Sequence, residues 1–482
     1  LENRRGCKST VSSNLTFSAI INDIMSFNNH SFCPEAWSQI LIDSQGDYKI
    51  CCLSCYGEDR GVALDINNNV LNVLTHSFDE AINSETHKKH RLEMQNNIRP
   101  IRCKSCWDAD DHANKNSKRW TVLNDLCNSI PEYVNLNTAE KYTNTDGTIT
   151  SKIVNLDLRF GNLCNQKCIM CGPQNSNQWY DDWIALDFNK TGNTPFKKGG
   201  WIKDNSNVGI NYYFKKDDHG RNKLQFTPWW ETDIWWNRFD EISPNLRHLY
   251  FTGGEPLLVP AMKECLTRLI DKGYSNDIEL RYDTNFSVIN SNLFDLWKKF
   301  KKIVLCVSID ETYDRYNLIR NPGKFEVLIN NLLEARRRNI KIFYLSSCIG
   351  IATPYSMIRT LEFADIFKLN SFYRFLDGPS WLDIRHFPKA AKNEIISKLK
   401  SVCDTCPKHH IKYYQSEINL LQNYIDQEDR NSLREFIRVM DILDIQRNLD
   451  WKKTLPDVHD LDRKSTRLNS SHMSESRMPS SA

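Results

Sequence analysis

The 482-residue chain lacks the features that would place it in a membrane or on nucleic acid. No apolar run is long enough to cross a bilayer and no secretory leader is recognisable, so the sequence predicts a soluble protein without a membrane partner. The net charge is only +3, although the chain has 63 basic and 60 acidic residues. A chain this close to neutral has no electrostatic footprint for nucleic acid.

Residues 462–482 differ in character from the rest of the chain. Read back into codons, they resemble translated sequencing-adapter DNA, so we expect a non-native tail and a natural sequence that is cut off near Asp460. The tail holds four basic and two acidic side chains, and its exclusion lowers the net charge from +3 to +1.

Cysteine is plentiful, with 16 residues, and its distribution bears on the compartment. A secreted disulfide scaffold is typically a short chain behind a signal sequence, whereas these cysteines cluster at metal-ligand spacings. The pattern therefore predicts a reducing, cytoplasmic location. Cys7 and Cys127 have no obvious partner and are expected to be free thiols.

Three cysteines follow an apolar, strand-like run at residues 153–160. Cys164, Cys168 and Cys171, hereafter the cysteine triplet, are spaced C-x-x-x-C-x-x-C. Such a loop can wrap three thiolates around one face of a cubane iron–sulfur cluster, for which four cysteines are the usual complement. With three local ligands, one iron would stay open to a small molecule.

A second motif follows another apolar run. Gly253, Gly254 and Glu255, hereafter the GGE turn, come directly after residues 249–252. Glycines at a strand end let the backbone approach a ligand closely, and Glu255 can accept hydrogen bonds from an ammonium group. Together with the cysteine triplet, this turn resembles the radical S-adenosylmethionine (SAM) superfamily over roughly residues 150–385.

The resemblance implies a four-iron four-sulfur cluster on the cysteine triplet, with its open iron chelated by the amino and carboxylate groups of SAM. It implies that the GGE turn contacts the methionine amino group. In the family the residue before the third cysteine is usually aromatic and touches adenine through its backbone; here it is Met170. A low-potential donor of flavodoxin or ferredoxin type is the implied electron source.

The resemblance also implies SAM contacts from polar residues that end the third and fourth barrel strands. Asn285, Ser308 and Asp310 stand at these positions and are candidates for the ribose and the methionine carboxylate. Asp310 has an alternative interpretation as a cap of the following turn. Arg320 is a candidate for a bidentate pair with the SAM carboxylate, with a surface salt bridge as its alternative.

A further cysteine set lies in the first 130 residues. Cys33 and Cys51 flank alternating apolar residues around Gln45-Gly46-Asp47, which predicts a β-hairpin that brings the two cysteines together. After a helical stretch at 77–97 comes a C-x-x-C pair, Cys103 and Cys106. These four auxiliary cysteines could hold one iron–sulfur cluster or one zinc ion, and Cys52 or Cys55 could replace Cys51 as ligand.

The auxiliary spacing, C-x12-G-x4-C with a later C-x-x-C, resembles the SPASM/twitch module of radical SAM enzymes, which carries auxiliary clusters. In most relatives that module follows the barrel, whereas here it precedes it. The cysteine count favours the shorter, single-cluster twitch form.

Alternating strand-like and helix-like runs predict an α/β fold with parallel strands and right-handed crossovers. The strands are predicted at 153–160, 246–252, 277–283, 302–309, 341–347 and 371–376, and the helices at 261–272, 291–300, 325–338, 355–367 and 389–400. We therefore expect a partial (β/α)6 barrel whose site gathers at the C-terminal ends of the strands. The predicted organisation is a SPASM/twitch-like module at 1–130, the barrel at 150–400 with an aromatic-rich insertion at 175–243, a helical C-terminal segment at 403–461 and the tail.

Two segments allow alternatives. The insertion is interpreted either as a cover that excludes water from a radical intermediate or as a packed helical subdomain without substrate contact. Cys403 and Cys406 form a lone C-x-x-C, for which two ordinary thiols are favoured over a metal centre or redox pair. The run 411–449 has a helical pattern.

The sequence thus predicts a radical SAM enzyme that cleaves SAM reductively and abstracts hydrogen from a substrate. A peptide or protein side chain is favoured by analogy alone, and oxidation of a sugar or nucleotide is the alternative. The rival class is a non-catalytic iron–sulfur protein for electron transfer, which would have no use for the GGE turn.

Overall fold

The computed structural model describes residues 31–55, 61–112, 117–120, 122, 136–150, 152–186, 214–216, 219–224, 227–289 and 291–461. Predictions for Cys7, Cys127, the tail and the middle of the insertion lie outside the described residues. No helix within the described ranges is long and apolar enough to cross a membrane.

The strands form one large sheet and one hairpin. They are β1 (Gln39–Ile42), β2 (Tyr48–Lys49), β3 (Asn155–Arg159), β4 (Phe214–Lys216), β5 (Asn222–Leu224), β6 (His248–Thr252), β7 (Glu279–Thr284), β8 (Lys302–Ser308), β9 (Ile342–Ile349) and β10 (Asn370–Phe375). The large sheet has the order β10-β9-β8-β7-β6-β3-β1-β2, and β4 and β5 pair with each other. All neighbouring strands from β1 to β10 in this order are parallel, and only β2 is antiparallel to its neighbour.

The helices lie mostly between these strands or after them. They are α1 (Glu35–Ser38), α2 (Phe78–Ile82), α3 (Glu85–Gln95), α4 (Lys104–His112), α5 (Leu136–Lys141), α6 (Tyr180–Leu186), α7 (Asp233–Ile242), α8 (Pro260–Asp271), α9 (Ser291–Trp297), α10 (Tyr313–Ile319), α11 (Phe325–Arg337), α12 (Ser356–Phe367), α13 (Lys389–Cys403), α14 (Lys408–Asn423), α15 (Arg430–Arg447) and α16 (Trp451–Thr454). The α/β class and the six parallel strands β3 and β6–β10 confirm the predicted fold.

One prediction about helices is corrected, and one further helix was not predicted. The run 411–449 is two helices, α14 and α15, because the chain turns at 424–429 and Asp429 caps the second helix through its side chain. The short helix α10 between β8 and α11 was not predicted, since its seven residues carry too little periodicity to register.

The predicted N-terminal hairpin belongs to the barrel sheet. Ile42 pairs with Tyr48 across the hairpin, and β1 pairs in parallel with β3 from Gln39–Asn155 to Ile42–Leu158. The first segment of the chain therefore extends the barrel sheet by two strands beside β3.

The sheet is curved, and Cys55 shows it. This residue follows β2 at one edge of the sheet, yet Arg374 and Asp377 at the end of β10, the other edge, lie within its electrostatic range together with Lys49. The loop after β2 thus approaches the loop after β10. This is expected when a sheet curves into a partial barrel, because its two edges then face each other.

Alternation along the strands separates two environments. On one face, residues such as Leu156, Leu158, Leu249, Phe251 and Leu280 are fully buried in a core shared with the surrounding helices. The opposite face, directed into the barrel, carries charged and hydroxylated side chains that are described below. A second core lies among the C-terminal helices, with Trp179 and Ile169 from the cysteine-triplet region packed into it.

Candidate functional site

The cysteine triplet occupies the loop that follows β3, at the C-terminal edge of the sheet. Backbone hydrogen bonds fix this loop: Lys167 N–H donates to Asn321 O at 2.6 Å and Ile169 N–H donates to Ile319 O at 2.9 Å. The indole of Trp179 donates to the carbonyl of Cys168 at 3.0 Å. These hydrogen bonds satisfy backbone groups of the triplet loop and hold it in one conformation, which a loop that carries ligands requires.

The three thiols share one buried environment. Burial raises the pKa of Cys164 to about 12. The thiol of Cys171 donates to Cys168, and this hydrogen bond, with the nearby Arg320 guanidinium, holds the pKa of Cys168 below its usual range. The same hydrogen bond and burial raise the pKa of Cys171. Because thiolates are the ligating form, a bound cation would displace the protons that burial favours on Cys164 and Cys171.

Tight packing against the triplet loop explains Gly254. A Cβ at this position would lie 2.3 Å from the carbonyl oxygen of Leu163, and the Glu255 N–H donates to that same oxygen at 2.7 Å. Gly253 has a φ of +114°, which disfavours any other residue. The two glycines therefore seat the GGE turn on the triplet loop. This close approach between two protein loops accounts for them without a ligand.

Glu255 is buried, and its carboxylate is already engaged. It accepts hydrogen bonds from the Thr284 hydroxyl at 2.6 Å, the Asn285 N–H at 2.7 Å and the Leu257 N–H at 3.1 Å. Burial raises its pKa to about 7, against these hydrogen bonds, which lower it. A carboxylate has about four acceptor positions, so one position remains for an external donor such as an ammonium group.

Asp310 and Arg320 form a buried ion pair. Arg320 Nη2 lies 2.6 Å from Asp310 Oδ2, and the same guanidinium contacts the sulfur of Cys168 at 3.7 Å. The surface salt bridge considered for Arg320 is wrong, because its side chain is only 9% exposed. The cap considered for Asp310 is wrong as well, since its other oxygen accepts from Cys348 N–H at 2.7 Å.

Asn285 joins the same region, whereas Ser308 and Met170 are less informative. Asn285 Nδ2 donates to Asn165 Oδ1 at 2.9 Å and reaches the sulfur of Cys164 at 4.0 Å. Ser308 ends β8 in register with Ser346 and is half-buried. Met170 is half-buried against the second core. The structure therefore brings Glu255, Asn285 and the Asp310–Arg320 pair to the cysteine triplet.

The barrel interior carries a polar set that the sequence analysis missed. Tyr250 donates to Asp283 Oδ2 at 2.7 Å, and Arg281 donates to the Tyr344 hydroxyl across the intervening strand β8. Cys306 on β8 lies within hydrogen-bonding range of both Asp283 and Tyr344. The signal was present, since polar residues alternate with apolar ones along β3 and β7, but the runs were interpreted as simply apolar.

Asp157 on β3 is a buried acid of the barrel interior. Its side chain is fully buried, and neither carboxylate oxygen has a hydrogen-bond partner within the described residues. The nearest cation is Arg159, whose Nε lies 3.9 Å from Oδ1. Burial raises the pKa of Asp157 to about 6, against the opposing effects of Arg159 and Lys118. A buried acceptor without a donor is costly unless a ligand or water supplies one.

The auxiliary cysteines line one cavity, as the hairpin and the C-x-x-C pair predict. Its wall is formed by Cys33, Glu35, Cys51, Leu53, Cys103, Cys106, Trp107 and Arg119. Burial raises the pKa of all four thiols, to about 11 for Cys106. Lys118 lies 2.7 Å from Glu35 and within electrostatic range of Cys51 and Cys52, so it would offset the charge of ionised thiols.

The spacing of these sulfur atoms bears on the choice between a cluster and zinc. Tetrahedral zinc, with Zn–S bonds of about 2.3 Å, places its sulfur ligands about 3.8 Å apart. Among the described residues, no three of the auxiliary thiols come within 4.8 Å of one another. Sulfurs spread around a cavity instead match a cubane, in which each cysteine ligates a different iron. The residues present therefore fit an iron–sulfur cluster better than zinc.

The described aromatics of the insertion include fully buried core residues. Trp229, Trp235 and Phe239 are fully buried. Trp229 and Trp235 pack against Phe160 with their own ring centroids 4.9 Å apart, and Phe239 packs against Trp235. This arrangement matches the packed-subdomain interpretation for these residues. Trp201, Tyr212 and Tyr213 lie outside the described residues, so the cover interpretation stays a prediction.

A family model for the SPASM domain, an iron–sulfur cluster-binding domain, matches residues 33–107. Residues 33–107, the part of this chain that is similar to that domain, are hereafter called the SPASM domain. The match begins at Cys33 and includes all four auxiliary cysteines, which confirms the resemblance drawn from their spacing. The SPASM domain of this chain precedes the barrel and shares its sheet through β1 and β2. No curated protein matches the chain in a sequence comparison.

The chain also matches parts of several solved structures, including the three that follow. anSMEcpe with bound AdoMet is 14% identical with a TM-score of 0.30, over 46% of this chain and 52% of that one. Streptococcus suis SuiB bound to S-adenosylmethionine is 11% identical with a TM-score of 0.32, over 70% of this chain and 66% of SuiB. SuiB bound to its precursor peptide SuiA is 10% identical with a TM-score of 0.31, over 70% of this chain and 66% of SuiB. The chain thus spans about half the length of anSMEcpe.

Proposed function

We propose that this protein is a radical SAM enzyme that abstracts hydrogen from a peptide or protein side chain. The observation that carries the proposal is the convergence of the GGE turn, Asn285 and the Asp310–Arg320 pair on three thiols that have no fourth cysteine in their motif. A non-catalytic iron–sulfur protein has no need of such polar groups beside an incompletely ligated cluster.

The proposed roles follow from the contacts. The triplet would hold a four-iron four-sulfur cluster, which when reduced supplies the electron that cleaves SAM to methionine and a 5′-deoxyadenosyl radical. The remaining acceptor position of Glu255 would bind the methionine ammonium. Arg320, already next to Cys168 and paired with Asp310, would face the methionine carboxylate. Met170 and Ser308 remain proposed contacts to adenine and ribose.

The SPASM domain is proposed to hold an auxiliary cluster on Cys33, Cys51, Cys103 and Cys106. Four thiolates leave no open iron, so this centre would relay electrons or stabilise the domain rather than bind SAM. Within the proposed organisation, residues 1–130 form this domain, 150–400 the barrel and 403–461 a helical segment. A flavodoxin- or ferredoxin-type donor and a cytoplasmic location complete the proposal.

The preference for a peptide substrate is supported by the barrel interior. Buried Asp157 and half-buried Arg159 and Asp283 provide charges of both signs close together, which suits the N–H and C=O groups of a peptide. SuiB has been solved with its precursor peptide, but the proposal for this chain stands on its own interior. Oxidation of a sugar or nucleotide is the second candidate, since the same groups can bind hydroxyls.

The test is 5′-deoxyadenosine formation by anaerobically reconstituted protein given SAM and dithionite. Cys168→Ser should abolish the product, because the cluster would lose one of only three protein thiolates. Cys265→Ser is the matched control, since Cys265 is equally buried but lies in α8 on the outer core. Product at the wild-type rate from Cys168→Ser would refute the site, and no product from wild-type protein would favour the electron-transfer class.

A further inference from the structure

A cluster of ligand-type side chains lies away from both cysteine sites. Asp365, His409 and His410 present their ligand atoms within 4.8 Å of one another. Asp365 Oδ1 lies 2.9 Å from His409 Nε2, and Oδ2 lies 3.0 Å from His410 Nε2. Two imidazoles and one carboxylate are a ligand set typical of zinc and related transition metals.

The state of His410 distinguishes this cluster from an ordinary surface ion pair. His410 is 2% exposed, and its Nε2 has no hydrogen-bond partner within the described residues, although Asp365 Oδ2 is near. The nitrogen is therefore close to the carboxylate but not aligned with it. Metal ligands about 2.1 Å from a shared ion lie roughly 3.3 Å apart and point at the ion rather than at one another. The geometry of His410 matches that of a metal ligand, because its Nε2 is close to the Asp365 carboxylate without a hydrogen bond to it.

The two helices that carry the ligands meet end to end. Asp365 lies in the last turn of α12, and His409 and His410 lie in the first turn of α14. The partial negative charge at the C-terminal end of α12 favours a cation, whereas the partial positive charge at the N-terminal start of α14 opposes one. These contributions offset each other, so the Asp365 carboxylate decides the sign and the cluster attracts a cation.

We propose that Asp365, His409 and His410 bind one zinc ion, with a fourth position left to water. The ion joins α12 to α14 beside β10, the edge strand of the sheet. Tyr413 on α14 already donates to the carbonyl of Ser371 on β10 at 3.1 Å. Zinc would fix α14 across this edge, where β10 pairs with a strand on one side only in the described part of the chain. The proposal is independent of the function proposed for the cysteine sites.

The experiment titrates Zn²⁺ into protein whose cysteine sites are already filled with iron and sulfide. Bound zinc is counted by competition with a chromophoric chelator, and the thermal unfolding midpoint is followed in parallel. Wild-type protein should bind one zinc per chain, and its midpoint should rise by about 2 °C or more when zinc is well above its Kd.

Asp365→Asn and His409→Gln should each weaken zinc binding at least tenfold, since even the loss of an outer-shell partner costs about 10- to 100-fold. Both positions are exposed enough to tolerate substitution, and an unchanged iron content verifies that each variant folds. Glu362→Gln is the matched control, because this exposed acid lies three residues earlier on α12 and its substitution changes the charge equally.

Equal zinc binding by wild-type protein and both variants would overturn the proposal, as would an absence of zinc binding by the wild type. Loss of zinc from Glu362→Gln to the same degree would also overturn it, because the effect would then reflect surface charge rather than ligation.

Discussion

Gly254 should be the position where the smallest chemical change most damages the candidate SAM site. A methyl group there would lie 2.3 Å from the carbonyl oxygen of Leu163 and 2.9 Å from the carbonyl carbon of Asn162. Ordinary carbon–oxygen contacts are about 3.3 Å or longer, so the two loops would have to separate by about 1 Å. The loop that moves carries Cys164 as its next residue.

The expected cost has two parts. Overpacking a close contact costs about 1–3 kcal/mol, and the hydrogen bond from Glu255 N–H to Leu163 O would be stretched, which costs about 0.5–1.5 kcal/mol. Displacement of a catalytic loop by about 1 Å can lower a rate about 100-fold. Gly254→Ala should therefore retain its fold but form 5′-deoxyadenosine about 100-fold more slowly, with a reduced iron content.

Gly273→Ala provides the control. Gly273 follows α8 with a φ of +79°, and nothing lies within 4 Å of the Cβ that would be added. This variant introduces about 1–2 kcal/mol of backbone strain without a steric overlap, so iron content and rate should stay near the wild-type values. The reasoning would be refuted by a Gly254→Ala protein with wild-type iron and rate, or by equal losses in the two variants.

Three further predictions concern the charged groups and the SPASM domain. Glu255→Gln should weaken SAM affinity about tenfold or more, measured by equilibrium dialysis, because it removes the charge that would bind the ammonium; an unchanged affinity would leave Glu255 as a bridge between loops only. Asp157→Asn should raise the free energy of unfolding relative to wild type by up to about 3 kcal/mol at pH 8. The reason is that burial raises the pKa of Asp157 to about 6, so that the stability of the wild-type protein falls as the pH rises through that value. This difference should shrink toward pH 4 in denaturation measured across pH, and a pH-independent difference would contradict it. A variant lacking the cysteine triplet should retain about four irons per chain on the SPASM cysteines by metal analysis, whereas stoichiometric zinc without iron would contradict the cluster.

Local patterns were sufficient to predict the strands, the cysteine triplet and the hairpin that gathers Cys33 and Cys51. These features depend on residues close together in the sequence. The contacts of Glu255 were not predictable in the same way, because Thr284 and Asn285 come from the next strand and reach it only when β6 and β7 pair. The pairing of β1 with β3 likewise joins residues far apart in the sequence, and the sequence of a four-residue apolar strand does not indicate which strand it pairs with.

Asp157 was missed for a different reason. Its neighbours Leu156 and Leu158 are core residues, so the whole run resembled a strand buried on both faces. In a barrel only the outer face meets the helices, and the inner face can be polar when it lines a site. An acid between two buried leucines, seven residues before a cysteine motif, is the signal that would have identified it.

Strands β1 and β2 determine where the auxiliary cysteines lie relative to the barrel interior. Because β1 is parallel to β3 and β2 is antiparallel to β1, Cys51 lies beyond the end of the hairpin that is remote from the triplet loop. Asp157 lies within electrostatic range of Glu35 and Lys118, which accompany the auxiliary cysteines, and of Asp283 in the barrel. In the proposed function, a substrate held by Asp157 and Arg159 would lie near the auxiliary cysteines as well as on the strand that leads to the triplet loop. A net oxidation would need both centres, since hydrogen is abstracted at one and an electron must leave through the other. Zinc in the SPASM domain would remove this possibility, because it has no accessible redox step, so the metal content of the triplet-deleted protein decides the class of reaction as well as the identity of the metal.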